Sequence, residues 1–63
     1  MLTKAQFDVL VTLASAPEPS QRRLAQAAGV SLGSTNKAVH ELLDGGLVTG
    51  RDGDIAITEA GRA

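Results

Sequence analysis

SQRRLAQAAGVSLGSTNKAVHELLDGGLV, residues 20–48, decides how this chain folds. The stretch predicts a short helix, a tight turn, a second helix and the entry to a β-strand. Ser20 suits the N-cap of a helix running through Ala28. Gly29 supplies the backbone freedom to leave that helix, and Ser31 caps the next. Two helices joined across so short a turn form a helix-turn-helix unit.

The second helix, residues 32–43, carries the chemistry. Leu32, Thr35, Ala38, Val39 and Leu42 fall on one side at three- and four-residue spacing and are expected to face a core. Gly33, Asn36, Lys37, His40 and, a turn later, Asp44 share the opposite face. Amide, ammonium and imidazole groups projecting together from one helix can read base edges or hold phosphates. Arg22 and Arg23 lie in the first turn of the preceding helix, where the helix dipole favours acids, so their placement suits an anionic partner.

Outside this unit there is room for little more. Sixty-three residues make one small domain, and a domain of about 60 residues buries only roughly 60% of the surface its unfolded chain exposes. There is no cysteine and one histidine, so neither a disulfide framework nor a structural zinc site is expected, and no cofactor. Phe7 is the only aromatic residue, which leaves Leu, Val, Ile and Ala to fill the interior. No apolar run approaches the roughly 20 residues that cross a bilayer, and the amino terminus lacks the pattern of a signal peptide. A soluble cytoplasmic protein is expected. The formal net charge of −1 gives no bulk attraction to nucleic acid, although Arg22, Arg23 and Lys37, half of the six cations, lie in the two-helix unit.

Ahead of that unit, residues 3–14 form an amphipathic helix with Phe7, Leu10, Val11 and Ala14 at the spacing of a buried face. Thr3 and Gln6 fit a capping box, and Leu2 can pack on Phe7 as a hydrophobic staple. Val9 and Leu13 fall off that face, as a broader core contact or as a patch for another subunit or domain. Pro17 and Pro19 then bar helix continuation, so residues 16–20 are expected to be a loop or an edge with a single bridge.

After it, Gly45 and Gly46 end the helix, and residues 47–51 and 54–58 alternate apolar and polar side chains as two strands. Asp52 and Gly53 suit a two-residue type I′ hairpin turn. That turn sets the register: Arg51 opposite Asp54, Gly50 opposite Ile55, Thr49 opposite Ala56 and Val48 opposite Ile57, with Val48, Ile55 and Ile57 on one face. Arg51 at the tip can enter a minor groove or form a cross-strand pair with Asp54. Thr58 and Glu59 then cap and open a final short helix.

The order of elements predicts a mainly α fold with a small β-hairpin, a three-helix core plus a two-stranded wing. It resembles the winged helix-turn-helix domains of bacterial transcription regulators over nearly the whole chain. The carriers are the turn at Ala25, Gly29, Val30 and Ser31, the exit ELLDGGLV at residues 41–48, and the close ITEAGR at residues 57–62. Together these look like regulators of the multiple-antibiotic-resistance type. Two departures stand out: Thr35 holds a position where that family usually has valine, and the long terminal helices with which those regulators dimerise are missing. SQRRLA at residues 20–25 and SLGSTNK at residues 31–37 also resemble the amino-terminal winged helix of some bacterial choline-phosphate cytidylyltransferases. None of that enzyme's catalytic residues has a counterpart here. That resemblance implies a fragment of a larger chain, and residues 1–63 are expected to be the N-terminal winged-helix domain of a longer one.

Catalysis within these residues is not expected, because no nucleophile and base are paired and no Gly-rich loop follows a strand. Two functions stay open. In one, the domain binds duplex DNA, with residues 32–43 in the major groove. Asn36, Lys37 and His40 then face base edges, with Gly33 on the same DNA-binding face, Arg22, Arg23, Ser31 and Ser34 meet phosphates, and Arg51 sits at the wing. A second copy on an adjacent half-site would strengthen binding. In the other, the domain is a regulatory or protein-interaction module attached to an enzyme domain, and the polar face is simply solvated. No membrane partner is expected.

Overall fold

The computed structural model describes residues 2–50 and 54–62. Three helices, α1 (Lys4–Ser15), α2 (Gln21–Ala28) and α3 (Leu32–Asp44), precede a hairpin of β1 (Val48–Thr49) and β2 (Ala56–Ile57), and α4 (Glu59–Arg62) follows. The three longer helices pack on one another, and the hairpin closes the open side of that bundle against α1 and α3. Val9, Leu10 and Leu13 of α1, Leu24 of α2, Ala38, Val39 and Leu42 of α3, and Val48 and Ile55 of the hairpin form one core. It is aliphatic throughout, as the composition requires.

Local capping sets the helix boundaries. Ser20 Oγ accepts from the Arg23 N–H at 3.2 Å, and Ser31 Oγ accepts from the Ser34 N–H at 3.2 Å, so each serine satisfies a donor that its helix leaves free. Gly29 leaves α2 in the left-handed region at φ 71°, and the Val30 N–H donates back to the Ala25 carbonyl at 3.1 Å. α3 ends by the same device. Gly46 takes φ 72°, and the Leu47 N–H donates to the Leu42 carbonyl at 2.9 Å, which turns the chain directly into β1.

The register of the wing is the one expected, with Val48 opposite Ile57 and Thr49 opposite Ala56, but its strands are shorter than residues 47–51 and 54–58. Ile55 turns its backbone groups away from β1, toward the connector. Its N–H donates to the Glu18 carbonyl at 2.7 Å, and the Glu18 N–H donates to the Ile55 carbonyl at 2.9 Å. This is the single bridge expected of the connector. Pro17 and Pro19 have no N–H, so Glu18 is the residue between them that can donate. Gly50 sits at φ 81°, and a Cβ there would run into the Asp54 carbonyl. Arg51, Asp52 and Gly53, and with them the expected turn and any Arg51 to Asp54 pair, lie outside the described residues.

α4 is tied down by one side chain. Thr58 Oγ1 donates to the Gly46 carbonyl at 2.7 Å and accepts from the Gly61 N–H at 3.2 Å, capping α4 and anchoring it to the end of α3. Gly61 permits the close approach, since a Cβ would meet the Leu47 carbonyl.

The first helix turns a different side inward from the one its spacing suggests. Phe7 and Val11 are 56% and 51% exposed, and Ala14 is exposed too, whereas Val9 and Leu13 are fully buried with Leu10 beside them. Apolar residues occur almost all the way round α1, so periodicity alone does not select a face. The packing partners do. Ala5, Val9 and Leu13, at four-residue steps, lie against the core, with Leu10 next to them. Leu2 and Phe7 share one surface groove, as a staple requires, without being buried. Leu32, expected in the core, is 42% exposed at the first turn of α3, ahead of the packed stretch that begins at Thr35.

Candidate nucleic-acid interface

α3 presents two different surfaces. Thr35, Ala38, Val39 and Leu42 are buried, while Gly33, Ser34, Asn36, Lys37, His40 and Asp44 are exposed. The buried residues fix the helix rotationally, so the exposed ones are held outward by the core rather than by their own contacts. Ser31 precedes them as the N-cap, and its hydroxyl is engaged with the Ser34 N–H, which makes its first role structural.

Arg22 and Arg23 are exposed in the first turn of α2. Among the described residues neither makes an ion pair, and Lys37 makes none either; the salt bridge present is Lys4 to Asp8 at 2.8 Å on α1. Three cations on the two-helix unit are therefore free of carboxylate partners. Such groups lose little on engaging an anion, because no internal pair has to be broken first.

A recess lies between the start of α1 and the outer side of α3. Thr3 and Ala5 form one wall, and Ser34, Lys37, Ala38 and Glu41 form the other. Glu41, on the α3 wall, accepts at Oε1 from the Gln6 side-chain amide at 2.7 Å. The sequence marks Gln6 only as the reciprocal partner in a capping box, and Glu41 carries no expectation there at all. The one signal available was the four-residue spacing of Lys37 and Glu41, which lets an ion pair form on a helix surface. The contact to Gln6 depends on how α1 crosses α3, which spacing within one helix does not encode. Arg51 lies outside the described residues.

A model described as the MarR family matches residues 2–54, most of the chain. The chain belongs to the MarR family. No curated protein matches it. Among solved structures it is similar to BpsR of Bordetella bronchiseptica, described in the setting of the regulation of BpsR DNA binding by 6-hydroxynicotinic acid. The two superpose with a TM-score of 0.86 at 25% identity, over 97% of this chain and 48% of that one. This MarR-family chain thus spans about half the length of the BpsR chain it matches. The two-stranded hairpin on a three-helix core is the winged-helix fold of that family. Neither comparison supports the resemblance to choline-phosphate cytidylyltransferases. Among the described residues no helix is long and apolar enough to cross a membrane.

Proposed function

We propose that this chain is the DNA-binding winged-helix module of a bacterial transcription regulator, with α3 entering the major groove. The observation that carries this is the outer face of α3. A helix fixed rotationally by four buried side chains holds Asn36, Lys37 and His40 outward together, and all three are exposed. Membership in the MarR family and the likeness to BpsR, a DNA-binding protein, support it.

In this arrangement Asn36 has the bidentate amide that suits an adenine edge, and Lys37 and His40 reach neighbouring bases or phosphates. Gly33 lets the helix approach the groove closely. Arg22, Arg23, Ser31 and Ser34 hold the backbone on either side, and Arg51 contributes from the wing. Phosphate contacts set register, and the α3 contacts set sequence preference.

The net charge of −1 means that a single copy binds weakly. A second copy on the next half-site, about 34 Å along the duplex, supplies the rest. The domain measures 24 × 23 × 19 Å, so two copies fit side by side at that spacing. The alternative of a regulatory module attached to an enzyme has only the near-neutral charge in its favour.

Salt dependence is the test. About four phosphate contacts give a log-log slope of affinity against salt of roughly −3.6, whereas binding through apolar contacts with a protein partner has no such slope. A duplex-binding slope near zero would overturn the proposal.

A further inference from the structure

Gln6 uses both ends of its amide. Its Oε1 accepts from the Thr3 N–H at 3.1 Å, completing the capping box of α1, and its Nε2 donates to Glu41 Oε1 at 2.7 Å. The capping box needs only the first of these bonds. The second reaches from the start of α1 to the third turn of α3, where Glu41 stands four residues after Lys37 on the exposed side of the helix.

That spacing lets a helix-surface ion pair form, although with the base ahead of the acid it is the weaker of the two orders. Yet Glu41 is bonded to Gln6, and among the described residues no carboxylate pairs with Lys37. Both side chains line the same recess, so separation by distance along the helix does not explain it. The positive end of the α1 dipole adds to the attraction that holds the carboxylate on the α1 side.

We infer that Gln6 is a positioning residue for DNA binding: it holds the Glu41 carboxylate against the start of α1 and so keeps the Lys37 ammonium free for the duplex. This rests on the assignment of Lys37 to the DNA face. With Gln6 unable to donate, Glu41 turns to Lys37, and the duplex must then break an internal pair before it gains the contact. With few cations on the face, the capture of one is felt in the whole affinity.

The test compares the native protein with Q6M, E41Q, K37A, Q6M/E41Q and Q6M/K37A. Affinity for a labelled mixed-sequence duplex is measured at low salt, and lysine ammonium NMR spectra are recorded without DNA. Thermal midpoints identify any variant that is not folded at the assay temperature. Methionine preserves length and charge; it removes the donor to Glu41 together with the acceptor of the Thr3 N–H, and the thermal midpoint reads the loss of that cap. Q6M is expected to weaken binding about two- to threefold, the range of a helix-surface pair. Q6M/E41Q should bind as E41Q does, because no carboxylate remains to capture Lys37, and Q6M should cost nothing further in K37A. In the free protein the Lys37 ammonium resonance should move in Q6M and stay in place in both E41Q and Q6M/E41Q.

An undiminished Q6M loss in the K37A or E41Q background overturns the inference, because Gln6 would then act by some route other than Lys37. So does a Lys37 resonance that moves in E41Q alone, since Glu41 would already be on Lys37 in the native protein. K37A binding DNA as tightly as the native protein is a different failure. It overturns the assignment of the DNA face and, with it, any use of Gln6 there, whatever the ammonium spectra show.

Discussion

Replacing Thr35 by valine should stabilise this domain, and the size of the gain follows from one atom. Thr35 is fully buried on the inner side of α3, and among the described residues its Oγ1 has no hydrogen-bond partner. A helical threonine commonly bonds its hydroxyl back to the carbonyl four residues earlier, as Thr12 does to Asp8 at 2.8 Å, but Thr35 Oγ1 makes no such bond to Ser31. A buried hydroxyl left unpaired costs about 1–3 kcal/mol relative to its hydrated state in the unfolded chain. Valine has nearly the same outline, so the exchange removes that cost with little repacking and puts a methyl group among Val39, Leu42 and their neighbours. For a domain of this length each ~1 kcal/mol raises the melting temperature by roughly 4–8 °C. Thermal and urea unfolding followed by circular dichroism would measure it. T35S supplies the opposite sign, because it keeps the hydroxyl and deletes the packed methyl. A T35V melting temperature at or below the native value would refute the reasoning, and would mean that the hydroxyl is satisfied in solution.

Other variants probe separate links. L13A should destabilise by ~2–5 kcal/mol and F7A by no more than ~0.5 kcal/mol, since Leu13 is in the core and Phe7 is exposed; urea midpoints that reversed this order would put the wrong face of α1 inward. G50A should cost at least ~1 kcal/mol, because φ 81° and the Asp54 carbonyl both exclude a side chain, and unfolding at the native midpoint would contradict the wing geometry. K37A and R23A should each leave the melting temperature unchanged while making the salt slope of duplex binding shallower by about 0.9, as titrations at several salt concentrations would show.

Much of the fold was legible because its punctuation is local. Ser20, Gly29 and Ser31 act within a few residues of themselves, and so their effect can be read in order along the chain. The wing register was legible for the same reason, being set by a turn and an alternation. What was not legible depends on packing between elements. α1 carries apolar residues on both sides, and only the bundle decides that Val9 and Leu13 go in while Phe7 and Val11 stay out. Leu32 has the right spacing for the core yet lies ahead of the packed turns. On the candidate face, the exposure of Asn36, Lys37 and His40 followed from spacing within one helix. The hold of Gln6 on Glu41 joins residues 35 positions apart, and no local rule foresees it.

Which surface of the domain meets DNA is the central question. An amide chemical-shift titration of the protein with a mixed-sequence duplex, first at low and then at moderate salt, addresses this directly. The prediction is salt-sensitive shifts concentrated at Arg22, Arg23 and residues 31–40, with Arg51 among them. An unshifted spectrum at low salt, or shifts gathered on the exposed Phe7 and Val11 side of α1 instead, would contradict it.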